Sequence, residues 1–188
     1  MVLVLCIGDL HIPHRAVDLP QKFKQLLVPG KIHYILSPGN LCSQEVLEYF
    51  KSVCSNTHIT KGDFDDDSSF ADNEVLELGD FRIGVCHGHQ VVPCGDTDAL
   101  ALLQRRLNVD ILVSGHTHEF MAMQHEDRIL INPGSATGAF SSLNPSAHPS
   151  FVLMDINGSK ASVYLYNLIE EEVRVEKMEF TKAASKLI

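Results

Sequence analysis

Five short apolar runs in the first 118 residues each lead into a glycine and a side chain of the kind that binds metal. The tails are Gly8-Asp9-Leu10-His11, Gly39-Asn40, Gly62-Asp63, Cys86-His87-Gly88-His89 and Gly115-His116-Thr117-His118. Glycine lets a chain turn sharply as it leaves a strand, and each turn sets a polar side chain just beyond it. In α/β sheets the carboxyl ends of strands are where sites assemble. The pattern therefore calls for strands whose ends converge. Asp, Asn and His together supply the mixed oxygen and nitrogen donors that suit Mn, Fe or Zn. One histidine at a strand end is more often a surface or hydrogen-bonded residue, but five such elements in series are hard to assign to chance.

The order of elements between these tails sets the fold class. Residues 2–7 read as strand, 20–27 as helix with Pro20 at its start, and 33–36 as strand. Residues 44–54 read as helix behind Ser43 as a candidate cap, and 57–60 as strand. This βαβαβ order implies a parallel sheet with right-handed crossovers. Residues 74–78 and 81–86 alternate around Gly79-Asp80, a hairpin signal, and 97–107 read as helix behind Asp96. The buried strand 110–113 follows, and then almost only strand: 119–125, 128–132, 150–156, 160–168 and 172–180. The spacing predicts an α/β fold of two stacked sheets with helices outside, one domain over residues 1–182. The tail 183–188 is expected to fray.

Asn157-Gly158-Ser159 matches a glycosylation acceptor, but Asn-Gly is also the strongest two-residue hairpin turn, and the turn is the better reading. Turning there pairs Ile156 with Ser159, Val152 with Val163 and Phe151 with Tyr164. One face then carries Phe151, Leu153, Tyr164 and Tyr166, and the other Val152, Met154, Val163 and Leu165. Both faces are apolar and both need cover. Either a sheet covers one and a helix the other, or one face stays partly open for a partner.

Composition narrows the function classes. A net charge of −9 argues against nucleic acid as a partner and against a protein held on anionic lipid by charge. No apolar run approaches the length of a membrane span, so direct insertion is not expected. The opening Val2–Ile7 lacks the basic leader and cleavage site of a signal peptide and reads as a buried first strand. The five cysteines show no CxxC pair and suit a reducing compartment, so the expected location is cytoplasmic.

The ordered tails resemble the calcineurin-like metallophosphoesterases, whose run is DxH, GDxxD, GNH followed by an acid, a later His, and GHxH. The resemblance covers Asp9 to His118. It implies a four-layer αββα sandwich of two mixed sheets flanked by helices. It also implies that Asp9, His11 and His118 hold a first metal and that Asp63, His87 and His116 hold a second, with Asn40 as the bridge. The ions would be Zn, Mn or Mg, bound weakly or unequally. Histidines 14, 33, 58, 89, 125 and 148 have no motif position.

This sequence departs from the hydrolase pattern at four positions. Asn40 stands where the family has its bridging carboxylate, Ser43 where it has a second acid, Asp63 where it has Asn, and Phe64 where it has His. The carboxylate count at positions 9, 40 and 63 stays at two while one charge moves. Phenylalanine can neither donate a proton nor hydrogen-bond a departing oxygen, and positioned proton transfer is worth about 10²–10⁴-fold. The expectation is a catalytically impaired centre. The alternative is an active two-metal phosphodiesterase in which His89 or His14 serves as the acid.

Gly8–His14, Lys61–Asp65, Gly88–Val91, Gly115–His118, Asn132–Gly138 and Ser150–Ile156 look like one branch of the family, the small subunits of the endosomal sorting complex retromer. That likeness implies a scaffold rather than an enzyme, peripheral on endosomal membranes through its complex. An α-solenoid subunit would cover the metal-bearing end, and regulators would bind a second apolar patch. Val91 and Val92, leaving the His89 loop, are anchor candidates or simply core. Leu153, Tyr164 and Tyr166, with Leu26 and Leu27, are the candidates for the second patch.

Overall fold

The computed structural model describes residues 1–66 and 69–182. Its elements in chain order are β1 (Val2–Cys6), α1 (Gln21–Leu26), β2 (Tyr34–Ser37), α2 (Gln44–Val53), β3 (Thr57–Ile59), β4 (Asn73–Leu78) and β5 (Phe81–Cys86). There follow α3 (Thr97–Leu107), β6 (Ile111–Val113), β7 (Phe120–His125), β8 (Arg128–Pro133), β9 (Ser150–Asn157), β10 (Lys160–Ile169) and β11 (Glu172–Thr181). Six strands form one sheet in the order β11-β10-β9-β1-β2-β3, and five form a second in the order β4-β5-β6-β8-β7. Strands β1, β2 and β3 run parallel, as do β5, β6 and β8. Antiparallel strands complete both sheets, so each is mixed.

The central strands are apolar on both faces, and alternation gives each face its own partner. Val4, Cys6, Leu36, Val85, Ile111 and Val113 fill the layer between the sheets. Leu5, Ile7 and Ile35 point the other way, into a cluster with Phe23 of α1 and Leu47 and Phe50 of α2. Leu112 and Leu130 meet Leu100 of α3 on the outer face of the second sheet. The result is the expected αββα sandwich.

The helices form where the sequence predicts. Leu47, Phe50 and Val53 recur at helical spacing and bury one stripe of α2. Asp96 caps α3 by accepting the Ala99 N–H at 2.8 Å. Ser43 holds the capping position of α2, but its hydroxyl donates to the Glu45 carboxylate at 2.5 Å instead of capping.

The last hairpin corrects one register. Asn157 pairs with Lys160, so the two-residue turn is Gly158-Ser159, with φ +58° at Gly158. Phe151 therefore faces Tyr166 rather than Tyr164, and Val152 faces Leu165 rather than Val163. The partners slide by two residues, and because side chains alternate with period two, both faces keep their membership. Val152, Met154, Val163 and Leu165 lie in the inter-sheet core, while Phe151 packs on the helix side. Its ring stacks on Tyr166 at 4.7 Å and meets Phe23 edge-on at 4.7 Å. Leu153, Tyr164 and Tyr166 are half-buried. Leu27 is a correction: it is only 4% exposed and belongs to the core, because the end of α1 turns it inward beside Phe23, whereas Leu26 is 45% exposed. The expected fraying at 183–188 lies outside the described residues.

Phe151→Ala should cost about 3–5 kcal/mol in urea unfolding, since it empties the junction of α1 and the β9–β10 hairpin. Leu102→Ala, on the exposed face of α3, should stay within about 0.5 kcal/mol.

Candidate metal centre and its rim

The carboxyl ends of β1, β2, β3, β5 and β6 carry the polar residues singled out in the sequence. Donor atoms of Asp9, His11 and His118 lie within 4.8 Å of one another, and so do those of Asp63, His87 and His116. Asp9, His11, Asn40, His87 and His118 are buried, while Asp63 and His116 face the opening. Asp9, His11, Asn40, His116 and His118 adopt left-handed backbone angles between +49° and +71°. That conformation costs a non-glycine residue about 1–3 kcal/mol and persists only where surrounding contacts enforce it. Here the contacts are backbone hydrogen bonds between loops: Asp9 N–H to Gly39 O and His11 N–H to Asn40 O, both at 2.9 Å.

Second contacts aim the imidazoles. His87 Nδ1 donates to Pro38 O and His118 Nδ1 donates to Ala139 O, each at 2.7 Å. Each ring then presents the Nε2 lone pair to the centre. His118 Nε2 lies 3.1 Å from His11 Nε2, and His87 Nε2 lies 2.9 Å from Asp63 Oδ1. Ligands about 2.0–2.1 Å from one tetrahedral zinc stand roughly 3.3 Å apart, so this spacing fits a divalent ion. His11 Nδ1 is buried without a partner, which leaves the ring dependent on what its other nitrogen meets.

Charge in the centre points the same way. Burial pushes the His11 imidazole down to about 3, helped by Arg15 and His118. Burial alone would lower His87 as well, but Asp9 and Asp63 outweigh it and hold that imidazole above its usual value. Burial would raise Asp63, yet hydrogen bonds from His116, His87 and Asn40 keep its carboxyl far below the normal range. The Asp63 carboxylate stays ionised and attracts positive charge, whether a proton on His87 or a metal.

One organiser of the centre was not singled out in the sequence. The buried Asp65 carboxylate accepts three backbone N–H groups, from Asn40 at 2.7 Å, Cys42 at 2.9 Å and Gly62 at 3.0 Å. It thus ties the β2 loop to the β3 loop. Gly39 and Gly62 permit this closeness: a Cβ on Gly39 would meet Thr60 O at 2.4 Å, and one on Gly62 would meet Asn40 Oδ1 at 2.1 Å. The acidic run after Gly62 offered several carboxylates and no periodicity to tell which one turns inward.

Around the opening lies an apolar rim. Phe64 is 49% exposed, edge-on to His11 at 5.2 Å, with the Arg15 guanidinium 4.5 Å from its ring centre. Arg15 also donates to Phe140 O at 2.8 Å, and Phe140 and Leu143 are both exposed. His11, Asp63, Phe64, His116, Phe140 and Leu143 are among the residues lining a pocket of about 270 Å³ at this end. Neither His14 nor His89 lines it. Val92 is 81% exposed, but Val91 is 7% exposed and packs with Leu100 and Leu112. Val91 is therefore core and unavailable as an anchor, because adjacent residues of that loop point in opposite directions.

A two-sheet sandwich with paired Asp/His groups at its strand ends is the frame of a metallophosphoesterase. The chain belongs to the calcineurin-like phosphoesterase superfamily, whose domain profile matches residues 2–159. It is 47% identical over 185 residues to vacuolar protein sorting-associated protein 29 of Schizosaccharomyces pombe, spanning 96% of this chain and 99% of that one. The solved vacuolar protein sorting 29 of Cryptosporidium parvum is 44% identical with a TM-score of 0.93, covering 96% of this chain and 98% of that chain. Wild-type Vps29 of Entamoeba histolytica, solved in complex with Zn²⁺, is 44% identical with a TM-score of 0.90, over 95% of this chain and 99% of that chain.

Asp65→Asn should cost about 1–3 kcal/mol in urea unfolding with chelator present, because its amide NH₂ would face backbone N–H donors. It should also weaken Zn²⁺ binding in calorimetry. Asp66→Asn, at an exposed neighbour, should change neither.

Proposed function

We propose that this protein is a catalytically impaired, metallophosphoesterase-fold scaffold subunit of the retromer cargo-recognition complex. It acts in endosome-to-Golgi and vacuolar sorting, in the cytoplasm and on endosomal membranes through its complex. The observation that carries this reading is the rim: Phe64 stands exposed at the mouth of the donor centre, where the hydrolase pattern keeps a proton-carrying His. The likeness to proteins named for vacuolar sorting supports it. Among the described residues no helix is long and apolar enough to cross a membrane, in keeping with attachment through partners.

In this reading the centre is a docking face. Asp9, His11 and His118 would hold one divalent ion and Asp63, His87 and His116 another, of Zn, Mn or Mg. The ions would stiffen the loops and supply Lewis acidity that Phe64 leaves without a proton donor. The α-solenoid subunit seats on the rim, where Phe64, Phe140 and Leu143 offer exposed apolar surface next to polar groups, the composition of an interface core, and it reaches the exposed Val92 that follows the His87–His89 loop. Regulators bind a second patch of Leu153, Tyr164, Tyr166 and Leu26.

The two Asp/His groups favour one competing reading, an active two-metal phosphodiesterase. Loss of the positioned proton donor makes that reading weaker by about 3–5 kcal/mol of barrier. With Mn²⁺ bound, turnover of an activated phosphodiester should fall below about 1 s⁻¹, the lower end of ordinary enzyme rates. Faster turnover, lost in His89→Ala or His14→Ala, would favour the enzyme.

Val92→Asp should abolish capture of the α-solenoid subunit in pull-downs without moving the melting temperature, whereas Val91→Asp should unfold the protein, as it buries a charge. Leu153→Glu should retain the solenoid and lose regulators. Loss of both partners in Leu153→Glu would refute two separate surfaces.

A further inference from the structure

The side chain between the two Asp/His groups points the wrong way for a metal bridge. Asn40 is 1% exposed, and its Nδ2 lies 2.9 Å from Asp63 Oδ1 and 3.3 Å from Asp9 Oδ1. The same nitrogen is 3.1 Å from His87 Nε2 and 3.4 Å from His11 Nε2. Its oxygen faces away and accepts the Phe64 N–H at 2.9 Å. With no cation in the centre, the neighbours disfavour the reversed amide. It would press an oxygen against two carboxylates and an NH₂ against the Phe64 N–H, trading good hydrogen bonds for repulsions.

We infer that Asn40 is a two-position coupler between cation occupancy of the centre and the Phe64 rim. In one position its NH₂ takes the place of a cation, bridging the carboxylates of Asp9 and Asp63. A divalent ion needs those same oxygen lone pairs and repels an N–H dipole, so the two are alternatives. Presenting Oδ1 to an ion requires the amide to turn, and that turn releases the Phe64 N–H. Phe64 adjoins Asp63 in the chain and packs on His11, so the release is felt where the rim is exposed. Any effect on docking rests on the scaffold reading above; the coupling itself does not.

The geometry also gives the Asn at this position a physical purpose. A carboxylate at position 40 would be the third within hydrogen-bond reach, and the cluster would need a cation to stay folded and ionised. The amide lets the loops close without one. Metal becomes a modulator of the rim instead of a requirement for the fold.

The test is a Zn²⁺ titration of the intact protein, Asn40→Asp and Asn40→Ala, followed by calorimetry, melting with and without chelator, and the Phe64 amide resonance in ¹H–¹⁵N spectra. In the wild-type protein chelator should leave the melting temperature unchanged, and Zn²⁺ should shift the Phe64 amide. Asn40→Asp should bind Zn²⁺ about tenfold tighter or more, melt several degrees lower in chelator, and recover with Zn²⁺. In Asn40→Ala the Phe64 amide should start displaced and keep only the smaller Zn²⁺ response that ligation of the adjacent Asp63 produces directly. The inference is overturned if Zn²⁺ saturates the wild-type protein without moving that resonance, or if Asn40→Ala responds as the wild type does. Equal Zn²⁺ affinity and equal melting in Asn40→Asp would also overturn it. Solenoid capture is read separately with Val92→Asp, so failure of the scaffold reading leaves a distinct signature.

Discussion

The aliphatic layer between the two sheets decides where every donor of the centre lies. Asp9, His11, Asn40 and Asp63 leave the six-stranded sheet, while His87, His116 and His118 leave the five-stranded one. Each Asp/His group draws on both: Asp9 and His11 meet His118, and Asp63 meets His87 and His116. The centre therefore straddles the seam of the sandwich. Val4, Cys6, Leu36, Val85 and Val113 keep the two sets of strand ends in register. Close-packed interiors transmit small displacements, so a shift of one sheet against the other would open both groups at once.

Across that seam the loops hold each other in conformations they would not take alone. Left-handed angles at Asp9, His11, Asn40, His116 and His118 are offset by specific bonds, such as the His116 N–H donated to Asp9 Oδ2 at 2.8 Å. Ser135 and Thr137 add further ties, their hydroxyls donating to Asp9 O at 2.7 Å and Leu10 O at 2.8 Å. Such a lattice of short-range bonds, rather than a metal alone, preorganises the site. It also leaves the side chain at position 64 free to vary without disturbing the frame. Phe64 offers no ionisable side chain at the rim, and that side chain takes part in none of the hydrogen bonds that shape the loops, since only its backbone N–H bonds to Asn40.

Most of the architecture was legible because it depends on local pattern. Apolar runs bounded by glycine located the strands, and the 3.6-residue spacing of Leu47, Phe50 and Val53 located α2. Legibility ended where direction mattered. The Gly158-Ser159 turn shifts the hairpin pairing by two residues because turn type, not apolar pattern, sets the register. Val91 and Val92 are adjacent and chemically identical, yet one is core and the other exposed. Leu26 and Leu27 divide the same way.

By itself the sequence determined which residues reach the strand ends, the identity of the donors, and the absence of an imidazole at position 64. These follow from composition and spacing along one chain. Only the tertiary structure decided that Asn40 turns its NH₂ inward, that Asp65 fastens two loops, and which valine meets solvent. Those outcomes rest on the mutual positions of groups far apart in the chain: Asn40 reads the Phe64 N–H on one side and two carboxylates on the other. A hydrogen bond takes its direction from both partners, and no single segment contains both.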